Sequence, residues 1–365
     1  MELLDQLAQP LRIVAGLRSL SRLEVLDDYH EECVAAVERL LGDEPPADAP
    51  SDGLRDGQAG RLPEDGADVL AVTQALAGVN DALTRRLLEL AEAELGPPPC
   101  AYAWLALGSH GRGEQVLSSD QDSALAFASD GWAAGEYFPR LAAPVVDGLA
   151  RAGLPLCSGG YMATEWCRPL EEFRAMFAGW VDRPEPEALV RAEVFLDVRP
   201  VHGELAVDVL DRILVGGGSR GPFRAQLARA AVTFRPPLSV FGRLRSRHAL
   251  DVKGAGTAAI VLIARLYALV GGSSARTTLS RLEAAADAGA LHARDAADLA
   301  DAYRLLTRLR LRAQVEQVRR GERAGNVVSL DTLPPGERDH LVRALREVRD
   351  VQDYTASRFA TFSVS

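Results

Sequence analysis

The sequence has 365 residues, enough for two or three domains that each bury a hydrophobic core. A hydrophobic content of 47% and a charged content of 25% are those of an ordinary globular protein. The formal net charge of −10 argues against a nucleic-acid polymer as partner, because phosphate backbones are bound by clustered Lys and Arg.

The N-terminal quarter predicts helices on either side of a polar linker. Residues 3–42 place leucines and valines at helical spacing, whereas residues 43–66 are rich in Asp, Pro, Gly and Ala, as solvated linkers are. A further helix is predicted over 68–95, where Gly96 and three prolines end it. The N-terminus lacks the basic region of a signal peptide, so we expect none. These helices indicate no chemistry and are interpreted as a packing or partner-docking segment.

Residues 101 to about 215 predict a mixed α/β region. Apolar runs predict strands over 101–107 and 122–128. Further along the chain the pattern predicts a helix with apolar positions between 141 and 154, a helix over 171–181, and a strand over 192–198.

The last third of the chain predicts a helical bundle. It follows a glycine run, 216–218, that is interpreted as flexible. Long helices are predicted over 299–320 and 337–359. The most apolar helix, 258–270, is interrupted by Arg265 and is shorter than the ~20 residues that a membrane span needs. We therefore expect no membrane association.

The residue pattern with the clearest chemical meaning lies between the two central strands. The first strand ends in Gly108-Ser109, and Asp120 and Asp122 follow at the start of the second. Residues i and i+2 of a strand share a face, so the two carboxylates would lie side by side and repel unless a cation relieves them. Hard oxygen ligands suit Mg²⁺, and a Gly-Ser turn offers unshielded N–H groups and a hydroxyl to a triphosphate. The pattern predicts a metal–nucleotide site.

The stretch from Gly108 to Gln115, followed by Ser119-Asp120-Gln121-Asp122, resembles the signature of the nucleotidyltransferase superfamily. It is most similar to the nucleotidyltransferases of bacterial signal transduction, which are relatives of the protein-PII uridylyltransferases. The resemblance continues through residues 79–86, 160–163 and 195–203, and through 251–253, 309–314 and Asn326 of a helical substrate-binding domain.

That resemblance implies an α+β fold, with a small mixed-sheet, polymerase-β-like nucleotidyltransferase domain between N-terminal helices and a C-terminal helical bundle. The expected divisions are an N-terminal helical segment over 1–42, a linker over 43–66, a nucleotidyltransferase domain with its leading helix over 67–218, and a helical substrate-binding domain over 219–365.

The resemblance also implies roles for the acidic residues. Asp120 and Asp122 would be catalytic and hold Mg²⁺, with Mn²⁺ as a substitute. We expect Asp197 to complete the metal site as a third catalytic carboxylate. The alternative is that Asp197 pairs with Arg199, and Glu193 and Asp208 are the other candidate ligands.

The nucleotide is expected to contact Gly108, Ser109, Arg112 and Lys253. Arg112 would neutralise the γ-phosphate, unless it is a surface arginine paired with Glu114. Lys253 would reach a phosphate across a cleft between domains.

These residues predict an enzyme that transfers NMP from an NTP to an acceptor hydroxyl. We expect that hydroxyl to belong to a protein, which is its acceptor or regulatory partner. The alternative is a catalytically silent nucleotide-sensing regulatory module, which would have less need of both Asp120 and Asp122.

The four cysteines are scattered without zinc-ligand spacing, which suggests a reducing cytoplasm.

Overall fold

The computed structural model describes residues 33–37, 69–128, 131–185 and 192–359. Within the predicted N-terminal helices, residues 33–37 are helical, and the rest of 3–42 lies outside the described residues. The predicted linker over 43–66 lies outside them as well.

The first part of the described chain is a small sheet with helices around it. Helix α1 starts within a residue of the predicted position, and both central strands form where the apolar runs predict them. In chain order the elements are α1 (Val69–Leu95), β1 (Tyr102–Ala106), α2 (Gly108–Arg112), β2 (Ser123–Phe127), α3 (Trp132–Arg151), β3 (Cys167–Pro169), α4 (Leu170–Asp182), β4 (Arg199–His202) and α5 (Asp208–Gly217).

The four strands form a mixed sheet in the order β3-β2-β1-β4. Strand β1 is antiparallel to β2 and β4, and β2 is parallel to β3. The register pairs Ala106 with Ser123, and beyond it the Leu107 N–H donates to the Asp122 carbonyl oxygen at 3.0 Å. The turn after β1 and the residues before β2 therefore meet at one end of the sheet.

Both faces of the sheet are covered, which explains why β1 and β2 are buried at every position and, apart from Ser123, are apolar. Tyr102 and Trp104 pack on one face with α1 and α3. Ala103 and Leu105 point to the other face, toward α4 and the C-terminal helices. Alternation along a strand distributes one apolar run between two cores.

The C-terminal part is helical, as predicted, apart from a two-stranded antiparallel ribbon. Helix α7 lies at its centre, and a π-helical turn, Lys253–Thr257, leads into that helix. The stretch Lys253–Val270 has the length and apolar composition of a membrane span, but 78% of it is buried inside the fold. The elements are α6 (Gly221–Ala231), β5 (Ala249–Asp251), α7 (Ala258–Val270), α8 (Thr278–Asp287), α9 (Ala293–Arg319), β6 (Val327–Ser329) and α10 (Pro335–Arg358).

The predicted strand over 192–198 is wrong. Residues 192–195 are helical, and the strand begins only at Arg199. Ala192, Phe195 and Leu196 are buried whereas Glu193 and Val194 are half-buried, which is the i, i+3, i+4 spacing of a helix face.

The glycine run 216–218 is not a free linker. Gly216 and Gly217 end helix α5, and a Cβ on Gly218 would lie 1.8 Å from the Leu269 carbonyl oxygen of α7. Gly217 and Gly218 therefore allow close packing between the two parts of the chain, which share one continuous core.

Candidate active site

The two aspartates of the Asp-x-Asp pattern come together with a cysteine at the start of β2. One carboxylate oxygen each of Asp120 and Asp122 and the sulfur of Cys157 all lie within 4.8 Å of one another. All three side chains are half-buried. The structure thus brings the predicted carboxylates together and adds a thiol.

The electrostatics of this group favour a cation. Burial and the negative charge of Asp120 raise the pKa of Asp122 to about 6, although the Cys157 thiol, Lys253 and Arg112 act in the opposite direction. Two carboxylates that resist simultaneous ionisation are stabilised by a divalent ion, and oxygen ligands suit Mg²⁺ or Mn²⁺. The residues present therefore fit the expected metal.

The Gly-Ser turn lies directly against this group. Gly108 has a φ of +54°, and a Cβ on it would lie 2.7 Å from Oδ2 of Asp122. Glycine is favoured here because other residues rarely adopt this backbone conformation and their Cβ would crowd the carboxylate. Ser109 is half-buried and lines the same cleft.

A cleft of about 550 Å³ opens over the turn and the aspartates. Such a volume is within the range of small-molecule sites. One wall comes from the sheet domain and the other from the helical part. The second wall is lined by residues that include Lys253, Val261, Leu262, Tyr303, Arg310 and Asn326.

Four cationic residues of the helical part line this cleft: Lys253, Arg265, Arg310 and Arg323. Lys253 is exposed, and it is the only lysine among the 41 Lys and Arg residues of the sequence. Arg310 donates to the neutral oxygens of Asn326, at 2.8 Å, and Ser118, at 3.3 Å. Burial lowers the pKa of Arg310 to about 10. A phosphate would compensate the desolvated charge of this arginine.

Asp197 does not join the aspartate pair. Its side chain is fully buried and forms ion pairs with Arg112, Arg265 and Arg281. Burial raises the pKa of this carboxyl, but the three guanidinium groups outweigh burial and hold it far below its ordinary range.

Arg199, the alternative partner of Asp197, binds Asp81 instead. The other two candidate ligands, Glu193 and Asp208, do not belong to the group formed by Asp120, Asp122 and Cys157 in the described part of the chain. Glu193 lines the cleft, whereas Asp208 is exposed and pairs with Arg212.

Arg112 lines the cleft but is already held by two carboxylates. It donates to Glu114 at 2.6 Å and to Asp197. Glu114 in turn accepts hydrogen bonds from the backbone N–H and the hydroxyl of Thr278, in the first turn of α8. The expected pairing with Glu114 is therefore present, in the interior and not at the surface, and it connects the sheet domain to the helical part.

The short helix α2 is braced from behind by Asp81 of α1. His110 contacts Asp81 at 2.7 Å, and Arg199 donates to both oxygens of Asp81 at 2.8 and 2.9 Å. Arg199 also donates to the His110 carbonyl oxygen at 3.1 Å. Asp81 therefore positions the turn without lining the cleft.

Replacing Asp81 with asparagine is expected to lower the free energy of unfolding by about 2 kcal/mol at pH 7. Burial raises the pKa of Asp81, but hydrogen bonds from His110 and Arg199 outweigh it and lower the pKa to about 2. A depressed folded-state pKa stabilises the fold above the ordinary value of 3.8, and this contribution is lost as the pH falls toward 2. Urea titrations at pH 7, 5 and 3 should show that the difference in free energy of unfolding between variant and wild type becomes smaller as the pH falls. A difference in free energy of unfolding that does not change with pH would contradict the lowered pKa of Asp81.

Sequence reasoning did not single out Cys157 or Arg310 as site residues. Cys157 carries no local motif that marks it as a ligand, because its partners are more than thirty residues away in the chain. Arg310 belongs to a stretch that resembles the substrate-binding domain, and this resemblance is the sequence feature that could have identified it.

Two family matches cover most of the chain. Residues 56–187 match the family described as "Putative nucleotidyltransferase DUF294", and residues 221–359 match "Putative nucleotidyltransferase substrate binding domain". Asp120 and Asp122 fall in the first match and Lys253 in the second, whereas Asp197 falls between the two. No curated protein matches the chain.

Proposed function

The chain belongs to the putative nucleotidyltransferase family and carries its substrate-binding domain, and from this we propose a Mg²⁺-dependent transfer of NMP from an NTP to an acceptor hydroxyl. Mn²⁺ is an alternative ion. The observation that carries the proposal is the meeting of Gly108, Ser109 and the aspartate pair in one cleft of sufficient volume.

The reaction is a substitution at the α-phosphorus. The acceptor oxygen forms a bond to that phosphorus, the bond to the bridging oxygen breaks, pyrophosphate leaves with the electron pair, and the acceptor proton passes to solvent. A divalent ion, when bound to Asp120 and Asp122, supplies neutralisation of phosphate charge. The task of the remaining residues is to position the nucleotide.

Charge on the far wall supports placing the triphosphate between the two walls. Lys253 and Arg310 face the aspartates and Ser109 across the cleft, so they can neutralise phosphate oxygens that the aspartates alone would repel. The apolar side chains of Val261 and Leu262 on α7 offer a surface to the base or sugar.

We further propose that the acceptor is a protein and that the enzyme acts in cytoplasmic signal transduction, uridylylating or adenylylating its target. The resemblance to protein-PII uridylyltransferases supports this assignment. Cys100, Cys157 and Cys167 form no disulfide in the described part of the chain, which is compatible with a reducing compartment.

A labelling experiment tests the proposed function. The protein is incubated with each NTP labelled at the α-phosphate, with Mg²⁺ and cell extract, and labelled proteins are identified. Label should appear on an acceptor with wild type and disappear with EDTA or with Asp122→Asn. Titration calorimetry with the same NTPs should show binding that EDTA abolishes. Metal-dependent binding without any transfer would instead support a nucleotide-sensing module.

Replacing Lys253 with alanine is expected to weaken NTP binding about tenfold, or about 1.4 kcal/mol, because one phosphate loses its cationic partner. Calorimetry measures the change. The control is Arg294→Ala, which removes a charge from a guanidinium that is 90% exposed at the start of α9. Equal affinities for NTP in wild type and Lys253→Ala would exclude this lysine from the binding site.

Lys253 also allows a chemical test, because a lysine-directed reagent has no other side-chain amine to modify. NTP with Mg²⁺ should slow the modification of Lys253 in the full-length protein, as measured by peptide mass spectrometry. The α-amino group serves as the internal reference. Unprotected modification at saturating NTP would contradict the shared-cleft arrangement.

A further inference from the structure

The segment before Cys157 runs alongside the residues that carry the aspartate pair. Gln121 forms a parallel bridge with Leu156, and its backbone N–H donates to the Pro155 carbonyl oxygen at 3.0 Å. One residue further along both segments, Cys157 lies next to Asp122. Backbone pairing thus holds the thiol beside the carboxylates.

The turn after Cys157 packs closely against its side chain. Gly160 has a φ of +74°. A Cβ on Gly159 would lie 2.8 Å from the Tyr161 ring and 3.5 Å from the sulfur, so the turn is close-packed. Burial and the Asp122 carboxylate raise the pKa of the Cys157 thiol to about 11, although the backbone N–H groups of Tyr161 and Gly159 act in the opposite direction. The metal-free protein therefore holds a neutral thiol, and a bound ion would displace its proton.

We propose that Cys157 is a third, sulfur ligand at the cation site, which lets that site take a thiophilic divalent ion such as Zn²⁺ in competition with Mg²⁺. The inference rests on the proposed cation site at Asp120 and Asp122. Mg²⁺ prefers oxygen ligands, whereas Zn²⁺ binds thiolate and carboxylate together at about 2.0–2.3 Å. The three ligand atoms all lie within 4.8 Å of one another, which is close enough for one ion to be shared between them.

The binding step is a proton exchange. The ion forms a bond to the sulfur, and the thiol proton passes to solvent. Because divalent zinc generally binds mixed ligand sets more tightly than magnesium, low Zn²⁺ should displace Mg²⁺ from the site. The thiol therefore makes the enzyme responsive to free zinc.

Cd²⁺ is the probe for the test, since its bond to thiolate gives a near-ultraviolet charge-transfer absorption. The full-length protein without NTP is titrated with Cd²⁺ and, separately, with Mg²⁺. The variants are Cys157→Ser and Cys157→Ala, and Cys100→Ser is the control, because Cys100 is half-buried and outside the ligand group.

Wild type and Cys100→Ser should show the absorption, saturating at one ion per chain. Both Cys157 variants should lose it and bind Cd²⁺ at least about tenfold more weakly, with Mg²⁺ affinity changed by less than about threefold. Either variant that folds is sufficient. A band that persists without Cys157, or an equal loss of Cd²⁺ and Mg²⁺ affinity, overturns the proposal.

The two proposals fail differently. If the wild-type protein transfers NMP with Mg²⁺ but shows no Cys157-dependent absorption with Cd²⁺, only the proposal that Cys157 is a ligand is overturned. If the Cys157-dependent absorption is present but the protein transfers NMP from none of the NTPs, the assignment of Cys157 as a ligand stands and the proposed activity is overturned.

Discussion

Replacing Asp122 with asparagine is expected to lower the rate of nucleotidyl transfer by at least about a thousandfold while the protein stays folded. Asp122 and Asp120 are the carboxylates that the structure brings together beside the Gly-Ser turn. Without the negative charge of Asp122 the site binds the cation more weakly, and the cation is what neutralises the phosphate charge during transfer. The same result is expected for Asp120→Asn.

The fold should tolerate this change because the native pair is itself unfavourable. Burial and Asp120 raise the pKa of Asp122 to about 6, so a neutral amide relieves repulsion in the metal-free protein. Single-turnover transfer and thermal unfolding are measured together. The control is Asp147→Asn, on an exposed position of α3. Wild-type transfer by either aspartate variant would rule out the two-carboxylate site.

Replacing Asp197 with alanine is expected to lower the free energy of unfolding by about 3–5 kcal/mol. Three arginines, 112, 265 and 281, converge on this carboxylate in the interior. Without it their charges are left buried with too few counter-charges. This expectation differs from that for a metal ligand, whose loss would spare stability.

Chemical denaturation measures the effect, with Asp182→Ala as the control. Asp182 pairs with Arg220 where both side chains are more than half exposed, so its loss should cost less than about 1 kcal/mol. If Asp197→Ala unfolds like wild type but loses affinity for Mg²⁺, then Asp197 belongs to the cation site after all.

The arginine cluster also explains why Asp197 is better described as a positioning residue. Arg112 bridges Asp197 and Glu114, and Glu114 binds the first turn of α8. The cluster therefore connects helix α2, the segment before β4 and the helical part. It fixes the two walls of the cleft with respect to each other.

Several features could be predicted from the sequence because their signals are local. Helix α1 and the long helices α9 and α10 follow from apolar spacing along one face. Strands β1 and β2 follow from short apolar runs bounded by turn residues. The juxtaposition of Gly108 and Asp122 follows because adjacent strands bring the end of one to the start of the next.

Other features were decided by tertiary structure. The choice of Asp197 partners depends on Arg265 and Arg281, which are more than sixty residues away, and no spacing rule contains that information. The apolar run at 192–198 satisfies both strand and helix patterns, and only burial against α4 and the C-terminal helices selects the helix.

The sequence by itself determined the family, the order of elements and the Gly-Ser and Asp-x-Asp groups, because these depend on residues close together in the chain. Tertiary structure alone decided the remaining composition of the site. It moved Asp197 into a buried ion-pair cluster and brought Cys157 and Arg310 to the aspartates from distant segments. Long-range contacts are selected by the packing of the whole core, so the ligands they supply leave no periodic trace in the sequence.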